Sequence, residues 1–170
     1  MGNVYLVGMM GSGKSVTGRK LARMLDYGFT DLDDLIQERT KKTIAEIFGK
    51  EGEGYFRDQE SRILKEVSVL GPYVVATGGG AVLRKENVLR MRETGSVFLL
   101  ETSLPVLWER VRRNSDRPLL KEGDPFESLK RIFDERAPIY AKASDFRINT
   151  DGQTAEAVAE NIFALLGKSK

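Results

Sequence analysis

"VYLVGMMGSGKS", residues Val4–Ser15, decides the fold. The apolar run Val4–Gly8 reads as a buried strand that stops at a glycine. Gly8, Gly13, Lys14 and Ser15 then fit the spacing G-x-x-x-x-G-K-[ST], and Lys14–Leu25 continues as a helix. Glycines at these places let the backbone turn with its N–H groups facing one concavity. The helix start adds the positive end of its dipole, so the loop reads as a cradle for phosphate. Lys14 is expected to neutralise the β- and γ-phosphates, and the Ser15 hydroxyl to hold magnesium. The bland alternative is a glycine-rich turn, and the strand-then-helix context weighs against it.

Outward from that loop, apolar runs alternate with amphipathic segments. Phe29–Asp33, Tyr73–Gly80, Ser96–Glu101 and Phe146–Thr150 are expected strands. Ser61–Leu70, a segment from Thr102 with Pro105 in its first turn, and Thr154–Leu166 are expected helices. Such alternation predicts a three-layer α/β/α fold around a parallel sheet, with ligands at the carboxyl ends of the strands. The length of 170 residues suits one domain over residues 1–170.

Composition narrows the chemistry. The chain has no cysteine and no histidine, which removes disulfides, thiolate nucleophiles, Ser-His triads and His-ligated zinc. Acid–base work must fall to Asp, Glu, Lys or Tyr, and any metal to oxygen ligands, as magnesium prefers. A net charge of +2 gives no support to a nucleic-acid partner. No apolar run approaches the roughly 18 residues of a membrane span. The first residues lack a basic n-region, so a cytoplasmic location is the expectation.

A phosphate cradle leaves the acceptor unnamed. In "DLDD", an extended chain would aim Asp31 and Asp33 the same way, one carboxylate for the magnesium shell and one for a hydroxyl proton. The alternative is that Asp33 and Asp34 only cap the next helix. Arg57 and Arg136 suit bidentate carboxylate recognition, although most surface arginines form weak ion pairs. "TGGGAV" carries Gly78, Gly79 and Gly80 after an apolar strand, more glycine than a tight turn needs, and suggests a backbone–ligand contact. Arg112–Asp124 is polar and turn-rich and reads as a lid holding Arg117, or as a plain solvated loop. For the acid that P-loop proteins place at a second strand end, pattern alone leans to Glu101 over Asp31.

Taken together and in order, "GMMGSGKS", "DLDD", "IAEIFGKEGEGYFRDQE", "ATGGGAV", "RPLL" and "ERAPIY" resemble the shikimate kinase family over nearly the whole chain. The resemblance implies a nucleoside-monophosphate-kinase-like P-loop fold with a five-stranded parallel sheet, a substrate-binding region near residues 31–60 and a lid near 112–124. It implies transfer of the γ-phosphoryl group of ATP to the 3-hydroxyl of shikimate, with magnesium. By resemblance, Gly11, Ser12, Gly13, Lys14, Ser15, Val16, Arg110 and Arg117 would bind ATP, with Arg110 stacked on adenine. Ser15 would be the direct metal ligand and Asp31 would reach the metal through water, which overrides the pattern's lean to Glu101. Asp33 would bind the shikimate hydroxyls and act as base, with Lys14 and Arg117 on the transferring phosphate. Arg57 and Arg136 would clamp the shikimate carboxylate, Gly78–Gly80 would line the site, and Phe48 and Phe56 would wall it. A monomer is expected. One departure is visible: "NTDGQTAEA" after the last strand has no basic residue, where some relatives add an adenine contact. Gluconate and nucleoside monophosphates are the rival acceptors, and a non-catalytic nucleotide sensor is the rival class. Met9 and Met10 have no assigned role.

Overall fold

β1, Asn3–Val7, is buried along its whole length. Its side chains alternate between two cores, Tyr5 and Val7 in one and Val4 and Leu6 in the other. A strand buried on both faces belongs in the middle of a parallel sheet. The computed structural model, which describes residues 2–113, 118–120 and 123–168, places it there.

The elements in chain order are β1, α1 (Lys14–Leu25), β2 (Gly28–Asp31), α2 (Leu32–Thr40), α3 (Ile44–Lys50), α4 (Gly52–Val67) and β3 (Tyr73–Ala76). A 3-10 turn at Ala81–Leu83 leads to α5 (Lys85–Thr94), β4 (Gly95–Glu101) and α6 (Leu104–Val111). A second 3-10 turn, Pro118–Leu120, precedes α7 (Pro125–Ala143), β5 (Phe146–Asn149) and α8 (Ala155–Lys168). The five strands pair in parallel in the order β2-β3-β1-β4-β5. The sheet is the expected five-stranded parallel one, with helices against both faces. One layer packs Leu21 of α1 and Val158 and Ile162 of α8 on Leu6 and Phe98. The other sets Ile63 and Leu64 of α4, Met91 of α5 and Leu129 of α7 against Tyr5 and Val75.

Three of the boundaries that differ from the sequence expectation move residues of the site. β2 stops at Asp31 instead of Asp33, because the Asp31 carboxylate accepts the Asp33 N–H at 3.0 Å and caps α2. Asp33 is therefore a first-turn helical residue, and Asp31 and Asp33 do not share a strand face. β3 stops at Ala76; Thr77 is tied to β1 through its N–H and hydroxyl, both donated to Leu6 O, and the glycines leave the sheet. α4 begins at Gly52, nine residues before the predicted Ser61, so Arg57 lies inside the helix and not ahead of it. Arg117 and the rest of residues 114–117 and 121–122 lie outside the described residues.

Because Leu6 is fully buried in the central strand, Leu6→Ala should cost about 2–5 kcal/mol of stability. Equilibrium urea unfolding checks this: the midpoint should fall with the slope unchanged.

Candidate active site

The loop after β1 has backbone angles that only glycine adopts easily. Gly8, Gly11 and Gly13 have φ of 145°, 81° and 93°. Gly13 is the N-cap of α1 and contributes no side-chain cap, so the first amides of α1 open into the concavity. Lys14 is buried, and its ammonium donates to Gly8 O at 2.8 Å and Met9 O at 2.9 Å. A cleft of about 440 Å³ opens over this loop. Gly11, Ser12, Gly13, Lys14, Ser15 and Val16 all line it.

Ser15 lies on the first turn of α1 and Asp31 at the end of β2. The Ser15 hydroxyl donates to Asp31 Oδ2, while Asp31 Oδ1 takes the Asp33 amide. A hydroxyl and a carboxylate thus meet at the mouth of the phosphate loop, a set of hard oxygen donors suited to magnesium. Glu101 is elsewhere: it ends β4 half-exposed, 3.9 Å from Arg147, and does not line this cleft. Arg110, on α6, reaches across and donates to Gly11 O at 2.9 Å. The segment after β5 contributes Thr150 and Gln153 to the cleft wall. Gln153 was not anticipated.

A smaller pocket of about 80 Å³ adjoins the cleft. It gathers Asp33, Phe48, Phe56, Arg57, Gly78, Gly79, Gly80 and Arg136 from α2, α3, α4, the loop after β3, and α7. All eight residues expected around an acceptor therefore meet. Met10, Asp33 and Gly79 line both cavities, so these three form the boundary between them. Phe48 and Phe56 pack with ring centroids 5.1 Å apart and planes tilted by 49°.

The charges here are buried. Arg57 donates to Glu60 at 2.9 Å and to Glu53 at 3.1 Å, and its side chain is 9% exposed. Burial pulls its guanidinium down, but Glu60 and Glu53 outweigh that and push it up. Glu60 is fully buried; burial raises its carboxyl above the ordinary value, with Arg57 and Arg136 opposing the rise. One of its oxygens, Oε1, has no hydrogen-bond partner among the described residues. On α7, Tyr140 is buried one turn from Arg136 and donates to Gly79 O. Burial also raises the Tyr140 phenol.

Two of the three consecutive glycines, Gly78 and Gly80, have a steric reason. A Cβ on Gly78 would sit 2.3 Å from Glu60 Oε1 and 2.8 Å from Asp33 Oδ1. One on Gly80 would sit 2.3 Å from the Arg57 guanidinium. The glycines admit the site's own carboxylates and arginine to the backbone. Glu60 and Tyr140 were missed from sequence, although their spacings, three residues after Arg57 and four after Arg136, put each on its arginine's helix face.

Known proteins match this chain throughout. A family model described as shikimate kinase matches residues 10–166. A shikimate kinase of Thermodesulfovibrio yellowstonii is 43% identical over 95% of this chain and 93% of its own length. One from Vibrio parahaemolyticus is 42% identical over 96% and 95%. The solved structure of the Acinetobacter baumannii shikimate kinase in complex with shikimate superposes with a TM-score of 0.96 at 36% identity, covering 100% of this chain and 95% of that one. That of the Aquifex aeolicus enzyme gives 0.85 at 34%, covering 98% and 97%.

Glu60 gives a pH signature. Its folded-state pKa lies above the ordinary value near 4.5, so the folded protein holds this proton more tightly than the unfolded chain. Its contribution to stability is full below 4.5 and is lost as pH rises through the raised value. Glu60→Gln should remove that fall. Urea unfolding of both proteins across pH should show wild type losing ground to the variant as pH rises; the opposite trend would contradict the burial argument.

Proposed function

The chain belongs to the shikimate kinase family, and we propose how its side chains divide the transfer of the ATP γ-phosphoryl group to the 3-hydroxyl of shikimate. The activity itself is that of an ATP-dependent phosphotransferase acting on an alcohol. The observation that carries the division of labour is the shared boundary: Asp33, Met10 and Gly79 touch both the phosphate cleft and the small pocket. An acceptor hydroxyl at Asp33 would face the end of the nucleotide at the mouth of the cradle.

The phosphates of ATP would bind the amides of Gly11 to Ser15 and the start of α1, where Lys14 supplies a positive charge. Arg110, Thr150, Gln153 and Val16 would bound the rest of the nucleotide. Ser15 would hold magnesium directly and, by resemblance, Asp31 would reach it through water; both are hard oxygen donors of the kind that ion takes. Bound there, it would neutralise phosphate charge.

Arg57 and Arg136 would take the shikimate carboxylate. Arg57 is held ready by Glu60, which is inaccessible, and by Glu53, whose side chain is 48% exposed and is the partner that can yield. Phe48 and Phe56 would wall the ring. Asp33 would accept a hydrogen bond from the hydroxyl and take its proton as the new O–P bond forms and the bond to ADP breaks. An aspartate is a weak base, but the loose transition state of phosphoryl transfer asks little of the nucleophile. Positioning and charge neutralisation carry most of the rate. Arg117, by resemblance, would add charge to the transferring group from the lid. The reading also takes the protein as a cytoplasmic monomer with neither nucleic acid nor membrane as partner. Among the described residues no helix is long and apolar enough to cross a membrane.

Two buried arginines call for an anionic acceptor, the pocket of about 80 Å³ favours a small one over a nucleoside monophosphate, and the built acceptor pocket weighs against a mere nucleotide sensor. Coupled ADP release should depend on shikimate, with gluconate and nucleoside monophosphates far poorer; better use of either would overturn the reading. Asp33→Asn should lower kcat on the order of a hundredfold or more while ATP affinity persists. Arg136→Ala should raise the shikimate KM roughly ten- to a hundredfold, with the ATP KM nearly unchanged, because it removes charge-assisted hydrogen bonds.

A further inference from the structure

The outer side of α7 bounds a groove that the phosphoryl transfer does not use. It measures about 540 Å³ and is open to water. Val82 and Leu83 of the 3-10 turn, Val88 and Leu89 of α5, and Pro138 and Ile139 of α7 form its walls. Leu83, Leu89 and Ile139 are 40%, 60% and 36% exposed. A single exposed leucine needs no explanation, but several sharing one concavity do.

The rim of this groove is basic. Lys85, Arg92 and Lys142 line it, and among the described residues no carboxylate does. Arg92 is engaged, donating to Lys142 O at 2.9 Å and lying 3.7 Å from Asp145. Lys85 and Lys142 add two exposed cations beside the apolar walls. The size falls within the roughly 300–1,000 Å³ of small-ligand sites. Apolar walls under a cationic rim complement a small molecule with an apolar body and one anionic head.

The groove and the acceptor site are built from the same two segments, the one that follows β3 and α7, through different residues. Val82 and Leu83 follow Gly80 within three residues, and Pro138 and Ile139 lie between Arg136 and Tyr140 on α7. Pro138 is inside the helix and has no N–H for the Asp134 carbonyl, so α7 lacks one backbone bond at this point. A body wedged between the 3-10 turn and α7 bears on the helix where it is least supported, one turn from the arginine that faces the acceptor.

We propose that this groove binds a small amphipathic anion, an apolar body carrying one carboxylate or sulfonate, and that its occupancy alters acceptor affinity through α7. Only the second half rests on the shikimate kinase reading, so binding is tested without turnover. Anilinonaphthalenesulfonate fluorescence, with ADP present to fill the nucleotide cleft, should report one saturable site. Octanoate should displace the probe, and octanol at equal concentration should not. Leu89→Asp should weaken binding about tenfold or more through the lost apolar contact. Lys142→Glu should weaken it by about threefold or more. Saturating octanoate should then change the shikimate KM about fivefold or more in wild type and not in the variants. Absence of a saturable site, unchanged binding in both variants, or equal displacement by octanol overturns the binding site. Binding with an unchanged shikimate KM overturns the coupling. Concentration-dependent dimerisation that Leu89→Asp abolishes would assign the groove to a second copy and also overturn the proposal.

Discussion

The site depends on the parallel register of β2, β3 and β1. Asp31 is level with Ala76, and Ala76 with Leu6. Three strand ends therefore arrive together, and the segments that follow them, the phosphate loop, the first turn of α2 and the glycine loop, converge on one edge. Thr77 fixes the match through two hydrogen bonds to Leu6 O. A slip of one residue in β2 would turn Asp31 to the opposite face and away from Ser15. No short-range sequence contact holds these groups together; the sheet does.

The second constraint is electrostatic. Glu60 is fully buried, which is costly unless the charge is paired. Arg57 offsets that cost, and Arg136 contributes at longer range. Glu53 and Glu60 hold the Arg57 guanidinium within α4, and Arg136 enters the same small pocket from α7. Gly78 and Gly80 are the steric counterpart, since any side chain there would occupy the space of Glu60 or Arg57. Charge, backbone and packing thus specify the same pocket from three directions, which is the consistency expected of a functional site.

Much of this was legible in the sequence. The phosphate loop was, because its chemistry is local: glycines, a lysine and a hydroxyl at fixed spacing between a strand and a helix. The five strands were, because a parallel sheet buried on both faces leaves apolar runs. The pairing of Asp31 with Ser15 was not readable from pattern, which leaned to Glu101; only register decides which strand end faces the loop. The geometry of "DLDD" was misjudged because Asp31 caps α2 and ends the strand early. Glu60 and Tyr140 passed unnoticed because a buried carboxylate and a buried phenol look, in sequence, like any others on an amphipathic helix. Met10 gained a place, at the boundary of both cavities, that its spacing did not disclose.

In the proposed arrangement one pocket holds the acceptor by its carboxylate and offers its hydroxyl to Asp33. A crystal structure of the protein with shikimate and ADP tests it most directly. The shikimate carboxylate should lie on Arg57 and Arg136, with a ring hydroxyl within hydrogen-bond distance of Asp33 and facing the phosphate loop. A carboxylate bound away from both arginines, or a ring with no hydroxyl near Asp33, would contradict it.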